Sequence, residues 1–107
     1  FQGTYSYCLV NEEGNPVESH SIAAGLDYPG ISPQHAFMKD SNRAQYFAVT
    51  DNEAIEGYKM LSHLEGIIPA IESSHAIALA AKLLKNKGDL AIINLSGRGD
   101  KDVERPL

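Results

Sequence analysis

Two short polar segments carry the residue types that could hold a ligand. Residues 96–100 (Ser-Gly-Arg-Gly-Asp) directly follow an apolar stretch, and residues 72–75 (Glu-Ser-Ser-His) open an apolar helical stretch. Glycines let a backbone approach a ligand closely, and ligands of open α/β sheets bind beyond the carboxyl ends of strands. Spacing alone favours plainer roles, namely a glycine-rich exit turn for the first segment and helix capping for the second.

Other patterns that would identify a chemistry are missing from the sequence. The four histidines show no i, i+4 pairing and no cysteine partner, which argues against a transition-metal site. The sequence contains no nucleophile elbow, no P-loop and no dinucleotide-binding glycine fingerprint. Residue spacing therefore indicates a ligand-binding α/β piece and leaves its chemistry open.

Alternating strands and helices are expected to position these segments. Residues 5–10 and 17–22 predict an N-terminal hairpin, and the glycines and prolines of residues 23–34 predict a structured loop. Further short strands are expected at residues 45–49, 67–68 and 91–95. Strand, helix, strand, helix and strand at these spacings predict parallel strands with right-handed crossovers. The expected fold class is α/β, a fragment of a parallel-sheet domain with an N-terminal hairpin.

Two helices are expected between these strands. Thr50 and Glu53 fit a capping box at the start of the first helix, and Gly66 is a natural stop for it. The second helix is expected from about residue 72 to residue 87, ending at Gly88. Its centre is apolar all round, which predicts burial on several sides, with the missing cover supplied by residues outside this chain.

The composition of the chain argues against several classes of function. Lys plus Arg number 9 and Asp plus Glu number 14, and this net charge of −5 argues against nucleic-acid binding. A single cysteine, Cys8, excludes an internal disulfide and a thiolate zinc site. No apolar stretch approaches the ~20 residues that span a bilayer, and no leader sequence opens the chain. We expect a cytoplasmic protein without a membrane partner.

Three longer stretches resemble a known enzyme family in order and spacing. They are HSIAAGLDYPG at residues 20–30, EGIIPAIESSHA at residues 65–76 and NLSGRGDKD at residues 94–102. Together with residues 43–58, they are similar to the C-terminal part of the tryptophan synthase β chain. Residues 103–107 depart from the family pattern. Because the family chain is several times longer, the resemblance implies that residues 1–107 are a C-terminal segment of a larger domain.

The resemblance implies a function that depends on pyridoxal 5′-phosphate (PLP). The family is a lyase that joins L-serine and indole into L-tryptophan through an aminoacrylate. By this resemblance, Ser96 meets the pyridine nitrogen of PLP, and Glu72 lies near the same edge of the ring. The implied partners are a tryptophan synthase α chain and a second β chain.

The loop at residues 25–30 is implied to face the substrate. Asp27 matches an aspartate that pairs with an arginine of the mobile domain when the site closes, and Gly25 lies in the same substrate-binding loop. The backbone carbonyls of Tyr28 and Gly30 match ligands of a monovalent cation, Na⁺ or K⁺. No residue matches the family's Schiff-base lysine or its catalytic glutamate, so the chain alone is expected to be inactive.

Alternatives from other classes stay open. The chain would also suit an independent α/β module that binds a small ligand, or a non-catalytic remnant that binds a partner chain. The resemblance extends to related β-like proteins that work without an α subunit.

Overall fold

The computed structural model describes residues 3–104 and contains three α-helices in that range. They are α1 Pro33–Asp40, α2 Asp51–Glu65 and α3 Ile71–Leu83, with short 3-10 turns at Ala24–Leu26 and Asp100–Asp102. The chain divides into two compact units. Unit 1 comprises the chain up to Ser21 together with Gly25–Phe47, and unit 2 comprises Ile22–Ala24 together with the chain from Ala48 onward.

Helix α2 begins and ends where its local sequence predicts. The Thr50 hydroxyl accepts a hydrogen bond from the Glu53 N–H at 3.2 Å, and the Glu53 carboxylate accepts one from the Thr50 N–H at 3.0 Å. This reciprocal pair is the predicted capping box. Gly66 ends the helix in the left-handed region at a φ of 67°, where a side chain would add strain. Both predictions are confirmed.

Helices α2 and α3 pack tightly against each other through Gly57. A Cβ atom on Gly57 would lie 2.7 Å from the carbonyl oxygen of Ser74 and 3.0 Å from the backbone nitrogen of Ala78. The side chains of Glu53 and Lys82 add an ion pair between the same two helices. The absence of a side chain at Gly57 thus allows the two backbones to approach closely.

The core of unit 2 is small and lies beside this helix pair. Ala23, Tyr58 and Ile71 form its buried cluster, with Ile22 packed against it. The Asp51 carboxylate accepts a hydrogen bond from the Ile22 N–H at 3.1 Å, which ties residues 22–24 to the start of α2.

Only one side of α3 is buried by the described residues. The residues buried on that side are Ile71, Ser73, Ser74, Ile77 and Ala78. Ala76, Ala81 and Leu83 are exposed, so the burial on several sides expected from the apolar centre is not found in this part of the chain. None of the helices in residues 3–104 has the length and apolar character needed to cross a membrane.

Unit 1 is built from turns and one short helix. The Asn11 side chain accepts hydrogen bonds from the Glu13 and Asn15 N–H groups, at 3.0 Å each, which closes a turn between the two segments of the predicted hairpin. Helix α1 was not expected from the sequence. Its start is encoded locally, because the Ser32 hydroxyl accepts a hydrogen bond from the His35 N–H and Pro33 occupies the first helical position.

The predicted α/β parallel sheet is wrong. Between residues 3 and 104 there are no strands, only isolated antiparallel bridges that join Cys8 to Gly30 and Val10 to Pro16. Where the hairpin was predicted, the second bridge is accompanied by a hydrogen bond of 3.1 Å from the Val17 N–H to the Leu9 carbonyl oxygen, without regular strands. The expected strands at residues 45–49, 67–68 and 91–95 have no regular secondary structure.

The failure of the sheet prediction has a physical cause. An apolar, β-branched stretch favours extended backbone, but a strand also needs a second backbone about 4.8 Å away to take its hydrogen bonds. Residues 67–68 run directly into Pro69, which has no N–H to donate. Ile92, in the middle of another expected strand, is 98% exposed, so nothing in the described part of the chain packs against it.

Helix α3 also ends earlier than predicted, at Leu83 rather than at residue 87. The next residues form a turn in which the Asp89 N–H donates to the Asn86 carbonyl oxygen at 3.0 Å. The Asp89 carboxylate in turn accepts a hydrogen bond from the Asn86 N–H at 3.1 Å. Gly88 lies inside this turn at a φ of 95°, so it serves the turn and not the helix end. Short polar side chains that bond nearby backbone compete with helix in this way.

Candidate functional site

The start of α3 brings two of the predicted site residues into one region of unit 2. Glu72 lies in the first turn of α3, and Ser96 lies on the loop that reaches the same end of the helix. Ser73 links the two, because its hydroxyl donates a hydrogen bond of 2.6 Å to the Ser96 carbonyl oxygen. The two serine hydroxyl oxygens are 3.3 Å apart.

The Ser96 hydroxyl lies beside that of Ser73 and can donate one hydrogen bond. Each serine hydroxyl has one proton and two lone pairs. Because the Ser73 proton goes to the Ser96 carbonyl oxygen, any hydrogen bond between the two hydroxyls must be donated by Ser96. Ser73 is buried, whereas Ser96 is exposed. The start of α3 therefore presents a neutral, exposed hydroxyl whose single proton goes either to Ser73 or, in its place, to an acceptor outside the chain.

The side-chain ammonium of Lys101 lies between two carboxylates beside these serines. The Lys101 ammonium is 3.0 Å from Glu72 Oε2 and 2.6 Å from Asp102 Oδ2. Hydrogen bonds to Asp102, and then to Glu72, raise the pKa of Lys101 above its ordinary value. The ammonium stays charged and balances part of the negative charge at this end of the helix.

The loop carries a second ion pair that is directed into solvent. The guanidinium of Arg98 donates to Asp100 at 3.1 Å and 2.5 Å, and most of both side chains is exposed. The hydrogen bonds from Arg98 hold the pKa of the Asp100 carboxyl below its ordinary value.

Asp102 is the residue at this site that sequence reasoning missed. Its Oδ2 accepts a hydrogen bond of 3.1 Å from the Ile71 N–H, one of the first backbone donors of α3, and its side chain is 4% exposed. Residues 72–75 were expected to cap the helix, but the Ser74 hydroxyl donates to the Ala70 carbonyl oxygen instead. No local signal identifies a cap that comes from 31 residues further along the chain.

Gly99 of the loop allows a close approach, but the approach is to protein backbone. A Cβ atom on Gly99 would lie 2.2 Å from the Ile68 carbonyl oxygen and 2.5 Å from that of Pro69. Gly97 has a φ of 79°, which other residues rarely adopt. These glycines seat the loop against the segment that leads into α3.

The remaining predicted site residues lie in one loop of unit 1. Asp27 is exposed and accepts a hydrogen bond of 2.9 Å from the Ser19 hydroxyl. It lines an open cavity of about 470 Å³ together with Pro16, Val17, Glu18, Ser19 and Pro29. Gly25 lies within the 3-10 turn Ala24–Leu26.

Part of the backbone around Tyr28 and Gly30, the predicted cation ligands, already forms hydrogen bonds within the chain. Tyr28 and Gly30 flank Pro29, whose carbonyl oxygen accepts a 2.6 Å hydrogen bond from the Leu9 N–H. Gly30 also forms a bridge with Cys8. Among the described residues, no three His, Cys, Asp or Glu side chains converge where they could hold a metal ion.

Comparison with known proteins finds relatives along nearly the whole chain. The tryptophan synthase β chain of Mycobacterium leprae is 57% identical over 106 residues, which is 97% of this chain and 25% of that protein. The tryptophan synthase β chain of Vesicomyosocius okutanii is 59% identical over 105 residues, 94% of this chain and 26% of that protein. The corresponding protein of Nitrosomonas europaea is 56% identical over 103 residues, with the same two shares.

These relatives confirm the resemblance predicted from the three sequence stretches. The chain spans about a quarter of the length of the curated relatives it matches. No protein-family profile matches the chain.

Proposed function

We propose that this chain, which matches tryptophan synthase β chains along almost all of its length, is the C-terminal part of an enzyme that joins L-serine and indole into L-tryptophan. The observation that carries the proposal is the identity of 56–59% to three such chains over 94–97% of this sequence. When bound, PLP supplies the electron sink that lets the β-hydroxyl of serine leave and indole take its place. The relatives support PLP as the cofactor.

The residues at the start of α3 fit the pyridine edge of that cofactor. The exposed Ser96 hydroxyl can give its one proton to an acceptor outside the chain in place of the Ser73 hydroxyl oxygen. A neutral hydroxyl suits an unprotonated ring nitrogen. A carboxylate would instead favour a protonated ring, because an opposite charge within ~4–6 Å stabilises the charged form. We assign Ser96 the contact to the ring nitrogen.

Glu72 is assigned a place near the same edge of the ring. Its carboxylate is 26% exposed and pairs with the Lys101 ammonium at 3.0 Å. The cation offsets the charge of Glu72, so a carboxylate can lie near the ring edge without forcing a proton onto the nitrogen. Lys101 thus offsets part of the negative charge that Glu72 and Asp102 bring to this edge.

The loop of unit 1 is assigned to substrate and to closure. Asp27 is exposed, so its charge can pair with an arginine of a mobile domain, and the Ser19 hydroxyl orients it at 2.9 Å. Gly25 belongs to the same substrate-binding loop. The carbonyl oxygens of Tyr28 and Gly30 are proposed ligands of a monovalent cation, since hard cations prefer such oxygen ligands.

The assembly and location belong to the same proposal. An α chain and a second β chain are the proposed protein partners, in the cytoplasm. The relatives are named as β chains, which supports an assembly with an α chain.

The test uses the complete polypeptide that contains this chain. We expect it to bind PLP and to consume indole in the presence of L-serine, with tryptophan formed in equal amount. Asp27→Asn should lower the rate of tryptophan formation at least about fivefold, because it removes one charge of the closing pair. The PLP dissociation constant of this variant should change by no more than about twofold.

Glu12→Gln is the matched control for Asp27→Asn, because it removes one exposed carboxylate of the same unit. Its rate should equal that of the parent. A complete polypeptide that binds no PLP and consumes no indole would overturn the proposal and favour a separate binding module. Equal rates for the two variants would overturn only the role of Asp27.

A further inference from the structure

The first turn of α3 obtains its cap from a distant residue. The residue before the helix, Ala70, has no side chain that can accept a hydrogen bond, and the Ile71 N–H donates instead to Asp102 Oδ2 at 3.1 Å. Asp102 is only 3% exposed. A helix needs partners for its first N–H groups, and a buried carboxylate needs hydrogen bonds and compensating charge. The contact therefore gives the Ile71 N–H an acceptor and gives the buried Asp102 carboxylate a donor.

Three further features hold Asp102 in this place. The Lys101 ammonium lies 2.6 Å from the same carboxylate oxygen and supplies opposite charge. The positive end of the α3 dipole favours an anion at its N-terminus. The 3-10 turn Asp100–Asp102 is closed by a hydrogen bond of 3.0 Å from the Asp102 N–H to the Gly99 carbonyl oxygen. The carboxylate is thus fixed relative to both the helix and its own loop.

The loop from Ser96 to Asp102 is attached to α3 at both ends. At one end, the Ser73 hydroxyl donates to the Ser96 carbonyl oxygen at 2.6 Å. At the other end, Asp102 accepts from Ile71. Between them, Gly99 lies so close to residues 68–69 that a Cβ would meet carbonyl oxygens at 2.2 and 2.5 Å. A loop of seven residues held at three points has little freedom to reorient.

We propose that Asp102 is a positioning residue for Ser96, holding the loop on the start of α3 so that the Ser96 hydroxyl is directed at its ligand. The inference rests on the proposed function, in which that ligand is the ring nitrogen of PLP. Asp102 does not contact the cofactor in this role. It acts through the loop backbone, and Ser96 makes the contact.

The experiment measures the hydrogen bond itself in the complete polypeptide. PLP labelled with ¹⁵N in the ring reports, by its chemical shift, whether a donor reaches the ring nitrogen. Ser96→Ala sets the shift for a lost donor. Asp102→Ala should move the resonance in the same direction by at least half as much. The double variant should show the same ¹⁵N chemical shift as Ser96→Ala, because the two residues act through one hydrogen bond.

Two further variants separate positioning from general damage. Asp100→Asn removes a carboxylate from the same loop. Asp100 is exposed and pairs with Arg98, and Asn keeps an oxygen for the backbone N–H groups of residues 100 and 101, so the resonance should not move. Asp102→Asn keeps an oxygen that can accept from the Ile71 N–H and loses the charge, so its shift should lie between those of the parent and Asp102→Ala. A purely structural role would reduce the amount of folded protein without moving the resonance of the folded fraction.

A measurement without cofactor tests the attachment of the loop independently. In the apo polypeptide, Asp102→Ala should speed hydrogen exchange at the Ile71 amide by about 2- to 30-fold, the range expected for loss of a helix cap. An unchanged ¹⁵N shift in folded Asp102→Ala would overturn the inference, and unchanged exchange would overturn the attachment of the loop on which it depends.

The two proposals fail in different ways. If Ser96→Ala moves the resonance and Asp102→Ala does not, the positioning role is wrong and the assignment of Ser96 stands. If Ser96→Ala also leaves the resonance in place, the assignment of Ser96 is wrong, and the positioning role is overturned with it.

Discussion

Replacing Gly57 by Ala should loosen the packing of α2 against α3. In the middle of an exposed helix this exchange would stabilise the helix, because Ala is favoured over Gly by about 0.8–1.0 kcal/mol. Here the new Cβ would lie 2.7 Å from the Ser74 carbonyl oxygen and 3.0 Å from the Ala78 nitrogen, whereas ordinary contact begins at 3.4 Å. Both atoms are backbone, so no side-chain rotation can relieve the overlap.

The net effect follows from these opposing contributions. Overpacking of this kind costs typically about 1–3 kcal/mol, and a rigid helix backbone places it in the upper part of that range. After the gain in helix propensity, the pair should lose about 1–2 kcal/mol of local stability. Ser74 and Ala78 are buried in the contact, so they must move if the helices separate.

Native-state hydrogen exchange of the α3 amides measures this loss directly. A loss of 1–2 kcal/mol corresponds to exchange that is roughly 5- to 30-fold faster. Asn52→Ala is the control on the same helix, since Asn52 is exposed and the change also increases helix propensity. It should leave α3 exchange unchanged or slow it. If Gly57→Ala slows exchange as the control does, the close approach of the two helices is wrong.

Two predictions concern local electrostatics and capping. Thr50→Ala removes the acceptor for the Glu53 N–H and should destabilise α2 by about 0.5–2 kcal/mol, seen as faster exchange of the first-turn amides; unchanged exchange would contradict the capping box. Arg98→Gln should raise the pKa of Asp100 toward its ordinary value, because the hydrogen bonds from Arg98 lower it now. Since the folded-state pKa is depressed, this pair stabilises the loop above the unfolded-state pKa of Asp and is lost as pH falls through the folded-state value. An NMR titration of the Asp100 carboxyl carbon tests this, and identical curves for parent and variant would refute it.

Features that depend on residues close in sequence could be predicted from the sequence. The capping box of Thr50 and Glu53 and the stop at Gly66 involve hydrogen bonds within four residues, so their pattern is local. The start of α1 is encoded in the same local way, by the cap residue Ser32 and by Pro33 directly after it. The family resemblance was also readable, because it rests on the order of residues and not on their contacts.

The predicted sheet failed because strand pairing is not local. Residues 45–49 and 91–95 have strand-like composition, yet whether a backbone finds a neighbour depends on the rest of the chain. The described residues supply no such neighbour, so the backbone of residues 45–49 and 91–95 forms no ladder of hydrogen bonds between strands. The composition of a segment can favour an extended backbone, but it does not determine whether a second extended segment lies beside it to form hydrogen bonds.

The sequence by itself determined the starts of α1 and α2, the stop at Gly66 and the relationship to tryptophan synthase β chains. Tertiary structure alone decided that Asp102 caps α3, that Gly99 is pressed onto residues 68–69, and that Gly57 forms the contact between two helices. The physical reason is the distance along the chain over which each interaction acts. Asp102 lies 31 residues after Ile71, so no periodicity or spacing in the sequence predicts this cap. Only the folded backbone brings the buried Asp102 carboxylate to the Ile71 amide.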